Sequence, residues 1–115
     1  MSVIGIDLGS GHCVIAHASR KGVVTVLNEA SSRKSSNLIS FRDGQRHLAS
    51  DADSVARGNY KNSVWYCNRL MGLRPDTAAF EEESKTHPYA PVFSKDSRGN
   101  LVANLQYGSE KKQFE

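Results

Sequence analysis

Val3-Ile4-Gly5-Ile6-Asp7-Leu8-Gly9-Ser10-Gly11-His12 reads as a β-branched strand that closes on a carboxylate and then turns on two glycines. A second apolar run, Cys13 to Ala18, follows at once, so the turn joins two strands. Small residues in such a turn let backbone N–H groups approach phosphate oxygens and form an anion-binding concavity. Asp7, at the strand end, suits a hydrated Mg²⁺, which keeps several waters and needs few protein carboxylates. Two other phosphate loops do not fit. A Walker loop requires Gly-Lys-Ser/Thr, and no lysine stands between Asp7 and Arg20. A Rossmann loop requires a third glycine and a helix, where this chain has Val14 and a strand pattern. On these residues alone, an ordinary glycine-rich turn with a surface aspartate is the alternative.

Working outward, Ser19-Arg20-Lys21-Gly22 makes another turn and Val23 to Leu27 a third run, which predicts an antiparallel meander. All three runs are almost continuously apolar, so the sheet is expected to be covered on both faces. Residues 28–37 are polar and serine-rich, a loop. Leu38 to Phe41 predicts a strand, Arg42-Asp43-Gly44-Gln45 a turn, and Arg46 to Ala49 the return. Ser50 with Asp53 predicts a capped helix start, and Gly58 its stop. A second helix is expected from Asn62 or Ser63 through Val64, Cys67 and Met71 to Gly72, with Trp65 and Tyr66 as core anchors. A third, capped by Asp76, runs to about Lys85 with Glu81, Glu82 and Glu83 mostly solvated, and His87-Pro88 ends it. Pro91 to Lys95, a turn at Ser97 to Asn100, and Leu101 to Tyr107 form a further meander. Asn104 and Gln106 alternate there with apolar residues, which predicts one exposed face. Gly108-Ser109 suits a two-residue hairpin turn before Glu110 to Glu115, where the pattern stops in mid-course and reads as cut.

At 115 residues the chain holds one domain or one lobe of a larger one. Residues 1–74 carry ten Lys/Arg against five Asp/Glu, and residues 75–115 five against seven. The basic residues are scattered and lack interleaved aromatics, so they argue against a nucleic-acid surface. Cys13 and Cys67 each lie in an apolar stretch and read as reduced core thiols of a cytosolic protein. His12, His17, His47 and His87 show no metal-ligand spacing, and no apolar segment is long enough to span a membrane.

The motif GIDLGSGHC, then Asn28-Glu29 with Arg33, Leu38 to Phe41, and Asn62-Ser63-Val64 with Arg69-Leu70-Met71-Gly72, together resemble the heat-shock chaperone ATPases. Gly72-Leu73 to Lys85 is similar to the large, hundred-and-ten-kilodalton class within the seventy-kilodalton superfamily. The resemblance covers essentially the whole chain, specific in the opening motif and looser after Lys85. It implies an α/β, actin-like ATPase (ribonuclease H-like) fold, of which this chain is a lobe I fragment with β-meanders and short helices. Residues 1–37 are then the phosphate-loop meander and 38–115 an outer subdomain. It further implies that Asp7 lies near Mg²⁺, acting through water, and that Gly9, Ser10, Gly11 and His12 line the β- and γ-phosphates of ATP or ADP. The family has two threonines and a tyrosine where this chain has Ser10, Gly11 and His12. Asn68 stands where the seventy-kilodalton class has a lysine that aids hydrolysis, and an amide brings no positive charge there.

The resemblance implies a cytoplasmic ATP-binding chaperone that acts as nucleotide-exchange partner and holdase, its partners being seventy-kilodalton chaperones and unfolded clients. At most a weak ATPase is expected of the parent protein, and none of the fragment, because the family's second phosphate loop and adenosine pocket lie beyond Glu115. An active heat-shock ATPase, a kinase on the same fold, and an interaction module without nucleotide are the alternatives. Uncovered sheet edges and apolar surface predict that the fragment self-associates.

Overall fold

The computed structural model describes residues 2–87 and 92–115. Its first sheet is the expected meander of β1 (Val3–Leu8), β2 (His12–Ser19) and β3 (Gly22–Thr25), in the order β1-β2-β3. A two-residue strand, β4 (Ser35–Ser36), pairs with Cys13 and His12 at the start of β2. Leu8 lies opposite Cys13 and Val3 opposite Ala18, so the hairpin closes over residues 9–12.

The expected covering of this sheet is not found. All six β1 residues are exposed, Ile6 at 69% and Leu8 at 65%, and Val23 and Val24 are exposed too. The apolar runs mark a sheet suited to burial on both faces, but among the described residues the cores form elsewhere and nothing packs over β1.

The second sheet has the order β6-β5-β7, from β5 (Leu38–Arg42), β6 (Gln45–Leu48) and β7 (Ser63–Trp65). Asp43 and Gly44 join β5 to β6 with φ of 52° and 71°. Two left-handed residues make the turn whose twist matches that of the strands. Helix α1 (Ala49–Ala56) enters through Ala49 at φ 49° and lays Ala52 and Ala56, one turn apart, on Leu38 with Trp65 alongside. Ser50 and Asp53 do not cap it. Ser50 Oγ accepts from Asn28 Nδ2 at 3.0 Å, and Asp53 accepts from Ser36 Oγ at 2.5 Å.

The expected second helix is split into a short strand and a single helical turn. Ser63-Val64-Trp65 pairs with β5, Ser63 opposite Ser40 and Trp65 opposite Leu38, and only α2 (Cys67–Leu70) is helical. The ladder and the burial of Val64 win over a helical periodicity that left Met71 78% exposed. Trp65 does pack on a core, as expected.

Helix α3 (Ala78–Thr86) is capped by Thr77, whose Oγ1 accepts from the Phe80 N–H at 3.4 Å; Asp76 instead pairs with Lys95 Nζ at 2.6 Å. Glu81 and Glu82 are solvated, but Glu83 is not, its side chain being 11% exposed. The third sheet, β10-β9-β8, consists of β8 (Val92–Lys95), β9 (Leu101–Tyr107) and β10 (Glu110–Phe114). The expectations for Pro88 and Pro91 lie outside the described residues. Strand β9 is less open than its alternation predicts, because Val102 is buried as well as Ala103 and Leu105. Phe41 and Val64 of the second sheet join Ala103 and Leu105 in the main core, with Phe114 stacked 4.4 Å from Phe41.

Candidate phosphate-binding site

The turn after β1 is shaped by the absence of a side chain at position 9. A Cβ there would lie 2.7 Å from the His12 carbonyl oxygen and 3.7 Å from Asp7 Oδ1. The first distance is well inside van der Waals contact, so only glycine lets the two backbones close this tightly. At Gly11 a Cβ would meet the Tyr66 ring at 3.9 Å, an ordinary contact. Asp7 is exposed at the mouth of the turn, Ser10 is half-buried, and His12 is exposed with its backbone paired to Ser36.

The carbonyl groups of the turn are held from behind. Asn37 Nδ2 donates to the Gly9 carbonyl at 3.1 Å, the Asn37 N–H donates to the Gly11 carbonyl at 2.9 Å, and Asn68 Nδ2 donates to the Leu8 carbonyl at 3.4 Å. The N–H groups of Gly9, Ser10 and Gly11 have no protein acceptor among the described residues. Successive free N–H groups in a tight turn are what an anionic oxygen binds. With an exposed carboxylate beside them, this donor set fits a phosphate and its hydrated Mg²⁺.

Asn37 stands between β4 and β5, and its carbonyl accepts the Tyr66 N–H at 3.3 Å. Tyr66 has φ 59° and ψ 37°, a left-handed residue that ends the β7 run and starts α2. That bend places Asn68 against a hairpin 60 residues earlier in the chain. Arg69 then fixes α2 to α3 through two bonds to the Glu83 carboxylate, 2.7 and 2.8 Å.

Gly9, Ser10, Gly11 and His12 therefore lie in one turn, Asp7 stands beside it at the end of β1, and Asn68 reaches the same turn from α2. Sequence reasoning missed Asn37 and the conformation of Tyr66. Asn37 ends a polar, serine-rich loop, and its composition carries no sign that its amide grips a carbonyl.

The family model described as Hsp70 protein matches residues 3–115. The chain belongs to the Hsp70 family. It is 31% identical over 114 residues to "Heat shock 70 kDa protein 16" of Arabidopsis thaliana, covering 99% of this chain and 15% of that relative. It is 31% identical over 110 residues to a heat shock protein homolog of Candida glabrata, covering 96% of this chain and 16% of the relative. It is 32% identical over 114 residues to "Heat shock protein hsp88" of Neurospora crassa, covering 99% and 16%. The chain thus spans about a sixth of the length of these curated relatives. Family membership brings the actin-like ATPase fold, and the large heat-shock class that the motifs resemble is the one these relatives represent. Domains of the Hsp70 family bind ATP or ADP with Mg²⁺.

Proposed function

We propose that this Hsp70-family chain opens lobe I of a nucleotide-binding domain, residues 1–37 forming the phosphate meander and 38–115 the outer subdomain, in a large heat-shock chaperone. Gly9, Ser10 and Gly11 hold phosphate oxygens through their N–H groups, and Asp7 orients the hydration shell of Mg²⁺. Bound Mg²⁺ and ATP supply the phosphoryl chemistry; the protein's contribution at this turn is binding and orientation. The observation that carries the reading is the Asn68 amide bonded to the hairpin at the Leu8 carbonyl. It is neutral, so it adds nothing to the charge stabilisation that phosphoryl transfer requires. The protein therefore holds nucleotide and hydrolyses it weakly, and works as an exchange partner and holdase for seventy-kilodalton chaperones. The free thiols of Cys13 and Cys67 support a cytoplasmic setting.

The test is calorimetric titration of Mg·ATP into the full-length product of the gene, beside Asp7→Asn. Micromolar binding is expected, weakened about tenfold or more by Asp7→Asn, with slow turnover. Binding indifferent to Asp7→Asn, or rapid turnover in the unmodified protein, would overturn the proposal.

A further inference from the structure

Five backbone and side-chain bonds converge behind the turn, and Asn37 makes four of them. Its Nδ2 group uses one hydrogen on the Gly9 carbonyl, 3.1 Å away, and the other on Asn68 Oδ1, 3.2 Å away. Its N–H donates to the Gly11 carbonyl and its carbonyl accepts the Tyr66 N–H. The fifth bond runs from Asn68 Nδ2 to the Leu8 carbonyl. Asn68 is thus engaged at both ends of its amide, as acceptor from Asn37 and as donor to Leu8.

We propose that Asn37 is the positioning residue of the phosphate turn, and that with Asn68 it forms a two-amide clamp that shapes the turn before any ligand arrives and takes Asn68 out of phosphate contact. The proposal rests in part on the nucleotide reading above, because it assigns Asn68 a role behind the turn and none at the ligand. In a trans peptide the N–H points opposite to its carbonyl, so holding the Leu8 and Gly9 carbonyls from behind turns the Gly9 and Ser10 N–H groups the other way, and the bond to the Gly11 carbonyl fixes the far side of the turn. A turn held in this manner loses little freedom on binding an anion, which is the advantage of a preorganised site. The pairing also makes the two asparagines interdependent. A lysine at position 68 has three donors and no acceptor. It would leave the second Asn37 hydrogen facing an ammonium group.

The test is nitrogen-15 relaxation and side-chain amide exchange on the 115-residue chain, with Asn37→Ala, Asn37→Asp, Asn68→Ala and the double variant Asn37→Asp/Asn68→Lys. In the unmodified chain the Gly9, Ser10 and Gly11 amides should have order parameters near the rigid-backbone value of about 0.85, falling below about 0.6 in Asn37→Ala. Asn68→Ala should release one of the two Asn37 side-chain protons to solvent and leave the other protected. Asn37→Asp keeps the shape but loses both bonds donated by the side chain, and should loosen the turn. Pairing it with Asn68→Lys restores a donor–acceptor contact in the opposite sense, and should recover part of the order. Addition of Mg·ADP should move the Gly9, Ser10 and Gly11 backbone resonances and leave the Asn68 side-chain resonances in place. A turn equally rigid without Asn37, or Asn68 resonances that move with the turn, overturns the proposal. If no resonance responds to Mg·ADP, these 115 residues do not hold nucleotide without the rest of the domain, the calorimetric test above decides the nucleotide reading, and the relaxation and exchange results still decide whether the clamp exists. Should Asn37→Ala not fold, Asn37→Asp and Asn68→Ala decide the matter by the same readouts.

Discussion

Glycine-to-alanine replacement along the opening motif should give opposite answers at neighbouring positions. At Gly5, within β1, an added Cβ meets nothing within 4 Å, and the residue is not in the left-handed region. Alanine there restricts the unfolded chain without straining the folded one, and should stabilise by about 0.4–1 kcal/mol. At Gly11 the new carbon makes an ordinary 3.9 Å contact with Tyr66 and the residue is again not left-handed, so the same small gain is expected. At Gly9 it would lie 2.7 Å from a backbone oxygen, that of His12, which is held in a strand start and cannot swing aside like a side-chain tip. Relief requires the turn to open, at the cost of overpacking, about 1–3 kcal/mol. Gly9→Ala and Gly5→Ala should therefore differ by about 1.5–4 kcal/mol, the sum of those two opposite effects. With a urea slope of about 1–3 kcal/mol/M, the two midpoints should separate by roughly 0.5–4 M. The assay is urea unfolding of each variant, followed by Trp65 fluorescence and by circular dichroism. Equal midpoints for Gly5→Ala and Gly9→Ala would show that the turn is not closed as described, and its N–H cradle would be lost with it.

Other parts of the chain give sharp expectations. Ser40 and Ser63 are fully buried opposite each other, 2.8 Å apart, with Asn59 bonded to both, so either serine replaced by alanine should cost about 1–3 kcal/mol. The double replacement should cost clearly less than the sum, and strict additivity in a urea double-mutant cycle would refute the network. Glu83→Gln removes the carboxylate gripping Arg69 and should lower stability by about 1–2 kcal/mol, discounted because Arg69 is partly exposed. An unchanged thermal midpoint would mean that α2 and α3 are tied by packing alone. The Asn100 N–H, with further help from Arg98, holds the Asp96 carboxyl below its ordinary value of 3.8. Its contribution is present in full above that value and is lost as pH falls through the lower folded value, so Asp96→Asn should flatten the decline in urea midpoint below about pH 4. The open β1 edge and its exposed Val3, Ile4, Ile6 and Leu8 should drive concentration-dependent association, suppressed by Ile6→Lys. A monodisperse monomer by light scattering at high concentration would count against this.

What the sequence disclosed follows from how local each feature is. The β1–β2 hairpin, the Asp43-Gly44 turn and the Gly108 turn were legible because their backbone conformations depend on residues next to one another, with φ of 52°, 71° and 64° where Asp43, Gly44 and Gly108 stand. The helix expected over 62–72 was not, because Val64, Cys67 and Met71 keep a helical spacing while β5 offers residues 63–65 a ladder that no local pattern announces. The Ser50–Asp53 cap failed in the same way, since both side chains found partners far off in Asn28 and Ser36. The turn after β1 divides along this line. Its half with free N–H groups is a run of contiguous glycine and serine, readable at once. The half that shapes it is two amides 28 and 60 residues from the carbonyls they hold, and a carbonyl acceptor leaves no mark on the sequence. Position 68 thus cannot be understood as a missing cation alone. Asn37 donates to the Asn68 side-chain oxygen across 3.2 Å, and a lysine, which has no acceptor, would break that bond.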